Sequence, residues 1–131
     1  MIFTSYFAQS KKLSAAGIEQ IGICRKPPDW FNGKCISIVA PPRDLLQDWK
    51  CKKIDRGEFI IRYYDEVLAK NKLAKILNEL EHLTGINDVA NDPSNHVALL
   101  CWEHPDSFCH RQLLARWFEL QGVSCKEWTE V

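Results

Sequence analysis

Apolar residues fall in short, separated runs whose spacing changes along the chain. Residues 2–7 are largely apolar, with β-branched and aromatic side chains, and predict a first strand. Residues 10–17 form a short connection with room for one helical turn or two. Residues 18–25 and 35–40 are a second and a third apolar run. Pro27-Pro28 closes the second and Pro41-Pro42 the third, because proline cannot donate to a strand ladder. Residues 44–51 predict a short helix. From residue 58 the period becomes helical but shifts phase: Ile60, Tyr64, Val67 and Leu68 keep one face, and Leu73, Ile76, Leu77, Leu80 and Leu83 keep another. Two helices, 58–70 and 72–84, account for the shift, with Asn71 as the N-cap of the second and Gly85 as its stop.

Residues 87–95 are polar and predict a loop. Val97, Ala98, Leu99, Leu100 and Cys101 then make a continuous apolar run, the pattern of a strand buried on both faces. Pro105, Asp106 and Ser107 signal a helix start; Leu113, Leu114, Trp117 and Phe118 form its buried side, and Gly122 ends it. Residues 123–128 fit a last strand. Strands at 2–7, 18–25, 35–40, 96–101 and 123–128, alternating with helices, predict one α/β domain over 1–131. Its expected form is a Rossmann-like, largely parallel sheet of about five strands with helices on both faces.

Composition narrows this picture. The length, 131 residues, suits one core, and 46% hydrophobic with 26% charged residues is globular rather than disordered. A formal net charge of zero argues against a protein that coats DNA or an anionic membrane, while leaving local patches open. The apolar start is short and precedes Lys11 and Lys12, the reverse of the order in a secretory signal. No run approaches the roughly 20 apolar residues of a membrane span. The expected compartment is therefore the cytoplasm, with no membrane partner, and the six cysteines (24, 35, 51, 101, 109 and 125) read as thiols rather than a disulfide framework.

Candidate chemistry concentrates between residues 101 and 111, where a buried strand runs into a helix start. Ligands of parallel sheets bind beyond the carboxyl ends of the strands, and a helix N-terminus favours anions. Cys109 and His110 are expected in the first turn, where the dipole favours thiolate and disfavours imidazolium. Arg111 adds a planar guanidinium suited to phosphate or carboxylate. The candidate roles are Cys109 or Cys101 as nucleophile, His110 or Glu103 as proton carrier, and Arg25, Arg111 and Ser107 as holders of a phosphate-bearing small molecule or nucleotide. Nucleic acid is left open as a ligand. Arg43, Ser5 and Tyr6 fall near the same edge, and Trp30 and Trp49 either cover the core or stack on a base.

Two other readings compete. In one, the cluster is a structural hydrogen-bond network in a non-catalytic binding module, with Cys101 in the core and Glu103 paired to Arg111. In the other, Cys101, His104, Cys109 and His110 hold zinc. Their spacing lacks paired knuckles, and neighbours 109 and 110 on a helix point about 100° apart. No metal or other cofactor is therefore expected. Glycine-rich phosphate loops, G-x-S-x-G elbows and H-E-x-x-H motifs are absent from the sequence.

The stretch Ala98-Leu99-Leu100-Cys101-Trp102-Glu103, followed by Phe108-Cys109-His110-Arg111, resembles the strand and helix start of domain-of-unknown-function family 488. Thr4-Ser5-Tyr6-Phe7, Cys24-Arg25-Lys26-Pro27-Pro28-Asp29-Trp30 and Val39-Ala40-Pro41 are similar to the N-terminal half of a short subgroup. The resemblance implies a Rossmann-like domain of bacterial or phage origin, with Arg25, Cys101, Glu103, Cys109, His110 and Arg111 as site positions. It implies no particular reaction or cofactor. Many relatives end the second strand in Asp-Val-Arg; here Ile23-Cys24-Arg25 lacks that carboxylate.

Overall fold

The computed structural model describes residues 1–104 and 106–130. In chain order the elements are β1 (Ile2–Tyr6), α1 (Ser10–Ala15), β2 (Glu19–Gly22), β3 (Lys34–Cys35), α2 (Arg43–Lys50), α3 (Arg56–Glu66), α4 (Leu73–Thr84), β4 (Val97–Cys101), α5 (His110–Leu120) and β5 (Cys125–Glu127). The five strands lie in the order β3-β2-β4-β1-β5, every pair parallel. Helices cover both faces, unequally. Side chains of α2 to α5 pack on one face with Ile2, Val97, Leu99 and Cys101; Leu13 of α1 packs on the other with Phe7, Ala98 and Leu100. Every residue of β4 is buried, as its unbroken apolar run predicts.

The third apolar run departs from expectation. Only Lys34–Cys35 pairs as a strand, and Ser37–Val39 is a 3-10 turn. Ile36 and Val39 are both buried in the same core cluster. Residues three apart share a face in a 3-10 turn, whereas a strand would place them on opposite faces. The second run is likewise strand only over Glu19–Gly22, although the Ile23 amide still donates to the Leu100 carbonyl at 2.9 Å.

Two helices do replace one long one. α3 opens on a capping box in which Asp55 accepts from the Glu58 amide and Glu58 from the Asp55 amide. α4 ends at Gly85, whose φ of 75° is left-handed and suits glycine. Asn71 is not the cap of α4, which is Lys72; its amide donates instead to the carbonyls of Ile38 and Val67. No described helix is long and apolar enough to cross a membrane.

Candidate functional site

β2 and β4 are neighbours whose connections leave in opposite directions, one outward to β3 and the other across β1 to β5. Such a divergence opens a crevice beyond the carboxyl ends of the strands. Cys24, Arg25 and Lys26 follow one strand there, and Trp102 and Glu103 follow the other. The Trp102 indole donates to the Lys26 carbonyl at 2.9 Å and ties the two exits together. Between them is a cavity of about 160 Å³, bordered also by Cys101, His110 and Lys50.

At the cavity's inner wall α5 begins at His110, not near Ser107. Cys109 is its N-cap, with extended backbone (φ −148°, ψ 148°), and Asp106 and Ser107 lie in the preceding loop. Pro105, the other residue of the expected helix start, lies outside the described residues. Because Cys109 is not helical, its side chain and that of His110 are not held 100° apart: Cys109 Sγ lies 3.7 Å from His110 Nδ1. Cys101 and Cys109 form a disulfide, while Cys24, Cys35, Cys51 and Cys125 are free. The expectation of six thiols is therefore corrected for this pair. Sequence spacing conceals that the end of β4 meets the cap of α5.

His110 is buried, and its Nε2 lies 2.6 Å from the Ile23 carbonyl. A carbonyl only accepts, so Nε2 carries the proton and Nδ1, in the neutral ring, presents a lone pair to Cys109. Burial, outweighing the Ile23 hydrogen bond, lowers the imidazole pKa to about 4, with the Arg111 charge adding to the effect.

Arg111 is fully buried and its donors are directed inward. Nε and Nη2 meet the two oxygens of Glu127 at 3.1 Å each, and Nη1 reaches the Glu103 carbonyl at 2.6 Å and Cys101 Sγ at 3.0 Å. Its guanidinium carbon also sits 5.6 Å from the centre of the Tyr6 ring. Glu103 thus meets Arg111 through its backbone, while its exposed side chain borders the cavity.

Arg25, Lys26 and Lys50 border both the cavity and an adjoining groove of about 610 Å³, to which α2 adds Arg43 and Gln47. No acid lines this groove. Among the described residues none of the four cations makes an ion pair. A positive patch therefore exists within a chain of zero net charge.

The structure brings Cys101, Glu103, His110 and Arg25 to one cavity, with Cys109 behind it. Ser107 and Tyr6 do not border it, nor does Ser5, whose buried Oγ has no hydrogen-bond partner among the described residues. His104 is exposed, 3.4 Å from Asp106 and apart from the sulfurs. Trp49 packs against Phe59 and Phe108 in the core. Sequence reasoning missed Lys26, Lys50 and Trp102. Arg43, Gln47 and Lys50 stand at i, i+4 and i+7, a helical spacing that marks one face of α2.

A parallel α/β domain with a thiol, imidazole and cation cluster at its strand ends is the class that fold and site define. The sequence model of family DUF488-N3a, described as the active DUF488-N3 subclade, matches residues 5–122, and the chain belongs to this family. No curated protein and no solved structure matches the chain significantly.

Proposed function

We propose that the protein is an enzyme or sensor that holds a phosphate-bearing ligand, a nucleotide or nucleic-acid segment, in the basic groove and presents its reacting end to the cavity. The observation that carries this reading is that Arg25, Lys26 and Lys50 border both the cavity and the groove. Unpaired cations on one wall attract phosphate, and Trp102, 54% exposed at the cavity, offers an aromatic face for a base. With the Cys101–Cys109 bond reduced, Cys109 faces the His110 lone pair and Cys101 accepts a hydrogen bond from Arg111. The guanidinium favours the Cys101 thiolate, the form that acts as nucleophile, and the neutral His110 nitrogen accepts a hydrogen bond from the Cys109 S–H. Glu103 is a second proton acceptor at the cavity. The subclade's description as active supports catalysis over passive binding. Four free thiols suit a reducing compartment such as the cytoplasm.

One half of the cluster favours the structural reading: Arg111 is enclosed by its own protein and supports Cys101 rather than a ligand. The site therefore divides, with Arg111 and Glu127 holding the wall and Arg25, Lys26, Arg43 and Lys50 facing outward.

The test is a titration of the reduced protein with ATP and with a short single-stranded oligonucleotide at low and high salt. Arg25→Ala/Lys50→Ala should weaken binding at least tenfold and flatten its salt dependence while leaving the melting curve unchanged. Wild-type protein that binds neither probe, or binding indifferent to both substitutions, overturns the reading.

A further inference from the structure

Three ligand-type atoms, Cys101 Sγ, Cys109 Sγ and His110 Nδ1, lie within 4.8 Å of one another, and all three residues are buried. We infer that, once the Cys101–Cys109 bond is reduced, these residues form a Cys-Cys-His site for a zinc-like divalent ion. The inference concerns the same centre as the functional reading above. It does not depend on what the groove binds, and its test reads metal rather than anion affinity.

Geometry supports it first. In a tetrahedral site a sulfur about 2.3 Å and a nitrogen about 2.0–2.1 Å from the ion stand about 3.6 Å apart. Cys109 Sγ and His110 Nδ1 are 3.7 Å apart. Two sulfurs on one ion stand about 3.8 Å apart, which this pair reaches only after the bond is cleaved. The disulfide and the ion therefore exclude one another.

The surroundings support it second. A ligating histidine usually gives its other ring N–H to a carbonyl or carboxylate, which fixes the tautomer and ring orientation. His110 does so through Nε2 to Ile23. Arg111 Nη1 reaches Cys101 Sγ at 3.0 Å, a charge-assisted contact suited to a thiolate ligand. The objection from the sequence, that residues 109 and 110 diverge on a helix, falls because Cys109 is the extended cap.

Three protein ligands leave one position open, the arrangement of reactive rather than structural zinc sites. Cys101 and His110 border the cavity, so that position is reached by water or a phosphate oxygen beside Glu103. An ion there would polarise the oxygen or lower the pKa of bound water.

The experiment begins with a water-soluble phosphine. It takes the oxygen of one water as two electrons cleave the disulfide, and the water's two protons go to the sulfurs; both thiols lose these protons on binding the ion. The reduced protein is loaded with Zn²⁺, freed of excess and analysed for metal, and Co²⁺ is titrated in parallel. About one equivalent of zinc is expected, with a thiolate-to-cobalt charge-transfer band. Cys101→Ser, Cys109→Ser and His110→Gln should each lower affinity more than the roughly 10–100-fold that loss of a supporting partner costs, while Cys51→Ser changes nothing. Wild type gives a readout free of folding effects: zinc should shield two cysteines of the reduced protein from iodoacetamide until a chelator is added. Reduced wild type that retains no zinc, or shielding at cysteines other than 101 and 109, overturns the site.

Discussion

His110 Nε2 donates to the Ile23 carbonyl at 2.6 Å, joining the first residue of α5 to the exit of β2. This contact fixes the ring as a neutral hydrogen-bond acceptor toward Cys109 and closes the wall between core and cavity. In the metal-free protein it also sets a pH dependence. The folded pKa, about 4, lies below the ordinary 6.5, so between these values the unfolded chain binds the extra proton. Stability is full above pH 6.5, falls as pH drops toward 4, and loses on the order of 3 kcal/mol. Thermal melts from pH 7 to 4 should show this slope in wild type and lack it in His110→Gln. An equal slope in both would detach it from His110.

Arg111 and Arg25 should separate wall from ligand. Arg111→Ala leaves the Glu103 carbonyl and Cys101 without the guanidinium donor and Glu127 with the Thr4 hydroxyl in place of its cation, and should cost about 3 kcal/mol in denaturant unfolding, the low end for breaking a buried pair because Glu127 is 30% exposed. Arg111→Lys should recover little, since the two contacts to Glu127 require a planar fork. Arg25→Ala should stay within about 0.5 kcal/mol of wild type. A stable Arg111→Ala protein would return that residue to the ligand side.

Alkylation should sort the six cysteines. Without reductant, iodoacetamide should label Cys51 first, with Cys35 following, both being exposed. Burial pushes the Cys24 thiol up to about 11 and, with Glu119 and Glu127 nearby, the Cys125 thiol up to about 12, so both should react slowly. Cys101 and Cys109 should become reactive only after reduction, as read by peptide mass spectrometry. Labelling of either before reductant is added would contradict the bridge.

Trp102 should report the ligand. If a base stacks on its exposed face, Trp102→Ala should weaken nucleotide binding by about 1–3 kcal/mol while leaving inorganic phosphate binding unchanged. Parallel titrations with ATP and phosphate measure the difference. Equal losses for both probes would make Trp102 only the strut that positions Lys26.

Local pattern was enough to determine the class of fold. The unbroken run of β4 requires cover on both faces, the phase shift between Val67 and Leu73 requires a break in the helix, and Gly85 supplies its stop. The location of the cluster was also legible, because thiols, an acid, imidazoles and a guanidinium crowd between a buried strand and a helix. Pairing and direction were not. Ile36 and Val39 fit a strand or a 3-10 turn until the neighbouring core selects one face for both. Arg111 reads as an anion clamp until Glu127, sixteen residues on, brings a carboxylate to it through the pairing of β5 with β1. Lys50 and Arg25 share a groove, and His110 points its lone pair at Cys109, only because α2 and α5 pack against the exits of β2 and β4. Hydrophobic periodicity specifies which residues are buried; which polar groups meet depends on strand order and helix packing, and those arise only in the folded chain.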